Sequence, residues 1–258
     1  MLALALVLLL VELAWGSLWV LAVGTDWFRP LAEGWPPCAC PAPDRPARRA
    51  PLTSLPYTQP DSPGGRLFRW LGQLLGWWRD AFWPVAGSAL LGFVAAAALA
   101  AVLSLLLPDR LRPLNVALVA LIGPGVVWRW RGRRALLGQA LVQVGLGWLA
   151  GNAAFAEVTG PSLGLAMSFV LAAWGMLRVV EGQPSGLWLL NGGQVAGAAW
   201  LVVLKQPLPA GAMGLLLFGQ VAMQPSLRFG CDAARIAFGR RGWPWLMVAM
   251  PLAALALP

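Results

Sequence analysis

Residues 219–241 have the sequence GQVAMQPSLRFGCDAARIAFGRR, an apolar run that ends in a basic cluster. Within it, Gln220, Gln224, Arg228 and Asp232 recur every four residues, and Arg235 follows three residues later. Each four-residue step along an α-helix turns the side chain by about 40°, so these five residues would share one helical face. The spacing therefore predicts a membrane helix whose polar stripe runs from the bilayer into water.

The composition outside this stretch also indicates a membrane protein. Hydrophobic residues make up 59% of the chain and charged residues 11%, whereas a soluble domain carries about 25% charged residues. The apolar residues form blocks of membrane-span length rather than the short alternating segments of a β-barrel. We therefore predict an all-α, polytopic transmembrane helical bundle with about eight spans.

Several classes of function are disfavoured by the residue types. The net charge of +9 is explained by basic residues beside membrane spans, which set orientation, so we expect no nucleic-acid partner. The chain has no histidine, which excludes a histidine base and histidine-ligated haem or zinc. Its cysteines, Cys38, Cys40 and Cys231, are fewer than the four of a cysteine-only tetrahedral metal site. We expect no metal and no cofactor.

The chain divides into four regions. Residues 1–23 form the first span, residues 24–65 a cytoplasmic loop rich in proline and arginine, and residues 66–83 an amphipathic interfacial helix. Residues 84–258 then form a seven-span transmembrane bundle. Two alternatives stay open for Glu12, near the middle of the first span: it binds a proton or cation, or it bonds to a neighbouring helix. The amphipathic helix has its own alternative, a lead-in to the next span.

Proline and glycine mark the ends of most predicted spans. A Gly-Pro-Gly sequence at 123–125 predicts an interrupted third span, and Pro225 predicts a kink in the seventh. The seven later spans are predicted at 84–107, 114–128, 135–155, 162–180, 186–204, from 210 into the stretch 219–241, and 243–257.

The distribution of basic residues predicts the orientation. With eight spans, 16 of the 19 Lys and Arg residues lie in the odd-numbered loops. Cytoplasmic loops are enriched in such residues. We therefore expect a cell (inner) membrane protein with both termini on the non-cytoplasmic side.

This orientation places side-chain amides of three spans at a similar depth, near the cytoplasmic end. Amides in hydrocarbon must find partners, so they predict a polar cavity that opens to the cytoplasm, flanked by charged groups. The alternative is that the amides only bridge helices while the arginines contact lipid phosphates. The candidate ligand-binding residues are Gln139, Gln143, Asn191, Gln194, Gln220, Gln224, Arg178, Glu181, Arg228 and Asp232.

Arginine binds phosphate or carboxylate with two parallel hydrogen bonds. We therefore expect Arg228 to bind an anionic head group, with Asp232 orienting Arg228. The protein would be non-catalytic and would bind or move an anionic or amphiphilic small molecule or lipid. The alternative is a membrane subunit of a larger complex, for which the proline-rich loop and the tryptophan-rich helix would suit docking. The expected partners are the lipid bilayer, an anionic lipid or small molecule, and other membrane subunits.

An enzymatic alternative comes from residues 111–115, LRPLN, followed by an apolar run. This segment resembles the first helix of UbiA-type prenyltransferases, over about one helix. The resemblance implies a membrane-embedded lipid (prenyl or phospho-alcohol) transferase, which holds magnesium on pyrophosphate through clustered carboxylates. The aspartate-rich motifs of that family are missing here: Gln224, Arg228 and Asp232 stand where an aspartate pair would be sought.

Overall fold

The computed structural model describes residues 2–34, 63–132, 134–229 and 232–254, and helices account for almost all of the backbone in these ranges. Strands are absent from these ranges, so the prediction of an all-α protein is confirmed. Most of the predicted 24–65 loop lies outside the described residues, as do its two cysteines and Cys231.

The described residues contain nine helices, which we label α1 to α9. They are α1 at 2–24, α2 at Arg29–Gly34, α3 at Pro63–Leu106, α4 at Arg112–Trp130, α5 at 136–155, α6 at Gly160–Val180, α7 at Gly186–Val203, α8 at Pro207–Met223 and α9 at Asp232–Ala254. Short 3₁₀ turns, Asp109–Leu111 and Gln224–Phe229, precede α4 and follow α8.

Five stretches of the described chain are long and apolar enough to cross a membrane, which indicates a membrane protein. The predicted count of eight spans is not confirmed. Helix α8 is apolar but has 17 residues, and α9 carries Arg235, Arg240 and Arg241. The five stretches are Ala5–Leu31, Pro63–Leu106, Asp109–Trp130, Gly160–Val180 and Gly186–Val203.

Three helices contain a π-helical segment that the sequence periodicity did not predict. These segments are Leu9–Trp15 in α1, Trp78–Phe82 in α3 and Leu141–Leu146 in α5. A π turn closes hydrogen bonds from residue i to i+5 and is frequent at functional sites. The π segments of α1 and α5 contact each other, so two locally widened helices meet inside the bundle.

The hydrophobic core has two parts, which share α5. One face of α5, including Val142 and Leu146, packs with α1, α3 and α4. Another face, including Ala140 and Val144, packs with α6 to α9. Helix α5 therefore forms the wall between an N-terminal half and a C-terminal half.

A chain of side-chain hydrogen bonds joins the helices of the N-terminal half. The indole Nε1 of Trp15 donates to Asn115 Oδ1 at 2.8 Å, and Asn115 Nδ2 donates to Ser104 Oγ at 2.8 Å. Ser104 Oγ in turn donates to the carbonyl of Ala100 at 2.6 Å. Asn115, the last residue of the LRPLN segment, therefore joins α1, α3 and α4 in this structure.

Glycines set the spacing of α6 and α7 in the C-terminal half. A Cβ atom built on Gly193 would lie 2.5 Å from the backbone nitrogen of Ala172 and 2.6 Å from the carbonyl oxygen of Ser168. Gly192, its neighbour, has nothing within 4 Å of the same position. Small residues let membrane helices approach closely, and here the two backbones touch at Gly193.

The predicted interruption of the third span is wrong, because α4 continues from Arg112 to Trp130 through Pro124. A proline inside a helix removes one backbone hydrogen bond and can be absorbed as a bend. Gly125 serves packing instead: a Cβ there would lie 2.7 Å from the Trp19 indole and 2.9 Å from Val23.

The single polar helix predicted for residues 219–241 is interrupted in the structure. Helix α8 ends at Met223, the chain makes a 3₁₀ turn, and α9 begins at Asp232. Pro225 explains the break, since its ring clashes with the preceding turn and it has no N–H to donate. The eighth span, predicted from residue 243, is instead the later part of α9.

The predicted interfacial helix is continuous with the following span. Helix α3 has 44 residues, so at 1.5 Å per residue it is about 66 Å long, against about 30 Å for the hydrocarbon core. Its first part must therefore extend beyond the hydrocarbon. Near the π segment, the indole of Trp77 donates to the Pro30 carbonyl at 3.0 Å. A course of Pro63–Trp77 parallel to the membrane stays a prediction.

Candidate functional site

A cavity of about 590 Å³ lies where the α6–α7 turn faces the end of α8 and the start of α9. This end of the bundle is the one predicted to face the cytoplasm. Two proline-containing turns lie at this end: the α6–α7 turn, in which Gly182 adopts φ +81°, and the 3₁₀ turn that contains Pro225. The cavity is lined by Val179, Gly182, Gln183, Pro184, Leu187, Val221, Gln224, Pro225, Leu227 and Arg235.

Two amide pairs join α7 to the end of α8 and the turn after it, beneath this cavity. Gln224 Nε2 donates to Asn191 Oδ1 at 2.8 Å, and Asn191 Nδ2 donates back to Gln224 Oε1 at 3.4 Å. One turn deeper, Gln194 Nε2 donates to Gln220 Oε1, and Gln220 is 0% exposed. The structure thus brings together four of the predicted amides, and Gln224 also reaches the cavity.

Arg235 is the cationic group of the cavity. Its side chain is 28% exposed, and its Nη2 pairs with Asp232 Oδ1 one helical turn earlier. Its Nε is buried and has no hydrogen-bond partner among the described residues. The guanidinium lies against Gly182, where an added Cβ would be 3.0 Å from Arg235 Cζ. A glycine at this turn therefore makes room for the arginine.

Arg178 and Glu181, both predicted among the ligand-binding residues, lie beside the cavity rather than in its lining. Arg178 Nε donates to Gln183 Oε1 at 2.7 Å, and its guanidinium lies over the ring of Trp174, 5.4 Å from the centroid. The Glu181 carboxylate pairs with Arg134, just before α5. Arg178 thus positions a cavity residue, while Glu181 ties α6 to the chain ahead of α5.

Arg228 and Asp232 were predicted to form the anion-binding pair. The Arg228 side chain lies outside the described residues. Asp232 is 84% exposed and pairs with Arg235. Of the two predicted partners, the structure therefore describes only Asp232, which contacts the cavity cation from its solvent side.

Gln139 and Gln143 do not lie at this cavity. Gln139 Nε2 donates to Gln143 Oε1 at 3.4 Å on the exposed side of α5. The faces of α5 that carry Ala140 and Val142 are taken up by the two core clusters, so the two amides point outward. Gln143 instead lines a separate groove with Glu12.

The lining of the cavity fits an amphiphile with an anionic head. Val179, Leu187, Val221 and Leu227 provide apolar walls, and Arg235 together with two amides forms the polar part. Ligand sites commonly combine an apolar lining with few polar groups, in volumes of about 300–1,000 Å³. Among the residues that the structure describes, no group of three or more Cys, Asp or Glu side chains is placed to hold a metal ion.

Sequence reasoning missed Gln183 and did not select Arg235 among the ligand-binding residues. For Arg235 a signal was present, since it continues the stripe of Gln220 and Gln224. For Gln183 the signal was its position before Pro184, which places a polar side chain in a turn at a helix end.

Comparison of the chain with protein-family models, with curated proteins and with solved structures finds no significant match.

Proposed function

We propose that this protein is a non-catalytic integral membrane protein that binds an anionic amphiphile, a lipid or a lipid-like metabolite, in the cavity beside Arg235. The head group would contact Arg235 and Gln224, and the apolar part would lie against Leu187 and Val221. A protein of this kind would hold or move its ligand at the cytoplasmic surface of the membrane.

One observation carries this proposal: Arg235 lines an apolar cavity, and its buried Nε has no hydrogen-bond partner in the described structure. A buried guanidinium N–H without a partner loses its hydration without compensation. Phosphate and carboxylate oxygens match the fork of donors on arginine, so an anionic head group in the cavity would pair with the guanidinium of Arg235.

The carboxylates near the cavity favour binding over the transferase alternative. Transfer of prenyl or phospho-alcohol groups relies on carboxylates that hold magnesium on pyrophosphate. The described carboxylates near the cavity are already paired with arginines: Asp232 with Arg235, and Glu181 with Arg134. The cavity lining contains amides and a cation, a set suited to binding an anion.

The proposal includes an arrangement in the membrane: eight spans, an inner-membrane location and non-cytoplasmic termini. This arrangement would put the cavity at the cytoplasmic surface. Reporter fusions at Lys205 and Arg240 test the placement. The α7–α8 turn contains Lys205, and α9 contains Arg240, so the two reporters should give opposite sides. Signals from the same side would contradict the eight-span arrangement.

The binding test compares Arg235→Gln with the exposed Arg240→Gln on the same helix. Fluorescent phosphatidylglycerol is titrated with the purified full chain in detergent micelles, and anisotropy gives the dissociation constant. We expect Arg235→Gln to weaken binding at least tenfold, about 1.4 kcal/mol. Arg240→Gln should change it less than twofold, because a surface charge contributes little.

Two further measurements complete this test. Val221→Trp keeps Arg235 but fills the cavity from its exposed wall, and it should also weaken binding. Phosphatidylcholine with the same fluorophore should bind more weakly than phosphatidylglycerol. Equal affinity of the two lipids, or equal affinity of the wild type and Arg235→Gln, would overturn the proposal.

A further inference from the structure

A second groove, of about 380 Å³, lies between α1 and α5. Its polar lining consists of Glu12, Ser17 and Gln143, and its apolar lining includes Val11, Val20 and Leu21. The groove shares no lining residue with the cavity at Arg235. It is therefore a separate feature of the molecule.

The polar residues of the groove come mainly from two π-helical segments. Glu12 lies in Leu9–Trp15 of α1, and Gln143 lies in Leu141–Leu146 of α5. These segments contact each other. Both residues are near the midpoints of their helices, so a carboxylate and an amide face one groove at the middle of two apolar helices.

The groove opens outward, toward the side where lipid would lie. Leu9, Leu13 and Val20 on the same part of α1 are 45%, 53% and 58% exposed. Glu12 and Gln143 are exposed as well. Glu12 forms no hydrogen bond or ion pair with the rest of the described chain. In hydrocarbon, an unpartnered carboxylate of this kind is costly and marks a functional position.

We propose that this groove binds a lipophilic organic cation that enters from the bilayer. Glu12 would pair with the charged nitrogen or phosphorus centre, Gln143 and Ser17 would accept or donate hydrogen bonds, and Val20 and Leu21 would contact the apolar body. The volume lies in the range of small-molecule sites, about 300–1,000 Å³.

The surroundings of Glu12 favour this ligand over an inorganic cation or a partner helix. A metal ion would have to shed its water shell for a single carboxylate, since Ser17 and Gln143 are neutral. A partner helix would have to bring a cationic side chain to Glu12 at the middle of the membrane, where such residues are rare. An organic cation is weakly hydrated, carries its own apolar surface and fills the groove while neutralising Glu12.

Tetraphenylphosphonium is a suitable probe, and the tetraphenylborate anion is its control of the same shape. Equilibrium dialysis against the purified full chain in lipid nanodiscs measures the binding of each ion, with empty nanodiscs subtracted. We expect saturable binding of the cation to the wild type and none of the anion. Glu12→Gln should lower the affinity for the cation at least tenfold.

The matched control is Glu157→Gln, which removes an exposed carboxylate in the α5–α6 turn, 3.7 Å from Arg110. It should leave the affinity within twofold. Val20→Trp narrows the groove and leaves Glu12 in place, and it should reduce cation binding as strongly as Glu12→Gln. With two independent variants, the experiment stays decisive if one of them does not fold.

Absence of saturable cation binding to the wild type would overturn the proposal, and so would equal affinity in the wild type and Glu12→Gln. Cross-linking adds a further check on what covers this face. The test uses Leu13→Cys in a cysteine-free background. If two copies form a disulfide efficiently and cation binding is lost, the face belongs to self-association and the ligand site is refuted.

Discussion

The polar residues within the helices have different surroundings in the two halves of the molecule. In the C-terminal half, Gln194 and Asn191 of α7 bond to Gln220 of α8 and to Gln224 in the turn after α8. In the N-terminal half, Glu12 and Gln143 share an outward-facing groove, and Gln143 bonds to a residue of its own helix. The amides of the C-terminal half bond from one element to another, whereas the amide beside Glu12 bonds within its own helix.

This difference follows from how closely the helices pack. Helices α6 and α7 touch at Gly193, which holds α7 in a fixed position for its contacts with α8. Helices α1 and α5 meet through widened π segments, and the groove remains between their outer sides. Close packing thus brings the amides of the C-terminal half into bonding contact between elements, with Gln220 Nε2 left unpartnered among the described residues, and the locally widened helices leave a groove.

The largest effect is expected where the close packing is set. Gly193→Ala should lower the free energy of unfolding by about 2–3 kcal/mol, at the upper end for overpacking, because the added methyl meets the backbone of α6 rather than a flexible side chain. Unfolding by sodium dodecyl sulfate in mixed micelles, followed by circular dichroism, gives the measurement.

Gly192→Ala is the matched control for this change. Nothing lies within 4 Å of a Cβ at Gly192, and alanine favours helix over glycine by up to about 1 kcal/mol. Its stability should equal or exceed that of the wild type. Equal losses for the two variants would show that α6 and α7 do not touch at Gly193.

Helix positions followed closely from the sequence, because proline and glycine mark the helix ends. Helix α6 begins at Gly160, beside Pro161, α7 begins at Gly186, and α8 begins at Pro207. Each lies within about three residues of its predicted start. Pro124 shows the limit of this signal, since a proline inside a helix can bend it without ending it.

The face that each polar residue presents could not be derived in the same way. Gln139 and Gln143 have the same four-residue spacing as Gln220 and Gln224, yet one pair faces outward and the other faces α7. Spacing fixes which residues share a face, but packing decides where the face points. The π segments add to the difficulty, because a wide turn shifts the faces that come after it.

The buried amide pair should show the next largest effect. Gln220→Leu leaves Gln194 buried without its acceptor, so we expect a loss of about 1–2 kcal/mol in the free energy of unfolding. The double variant Gln194→Leu with Gln220→Leu should recover most of it, because replacing both partners by apolar groups is nearly neutral. Additive losses in this cycle would show that the two amides do not interact.

A smaller effect is expected at the edge of the Arg235 cavity. Asp232 pairs with Arg235 and competes with any anion, so Asp232→Asn should tighten phosphatidylglycerol binding by less than about 1 kcal/mol, the usual range of an exposed ion pair. The matched control is Asp109→Asn, which breaks the Asp109–Arg112 pair of the same spacing outside the cavity. Weaker binding by Asp232→Asn would show that the carboxylate orients Arg235 for its ligand.

The smallest effect is expected at Gln143. Its hydrogen bond to Gln139 on the same helix is a long one, 3.4 Å, and its side chain is exposed. Gln143→Leu should therefore change the free energy of unfolding by less than about 0.5 kcal/mol, as for a surface substitution, in contrast to Gln220→Leu. The same titration in mixed micelles measures both variants. A loss above about 1 kcal/mol would show that Gln143 bonds across to another helix or another copy of the chain. The polar residues of the Glu12 groove would then bond to another helix, as the amides of the C-terminal half do. The groove would not be open to a ligand.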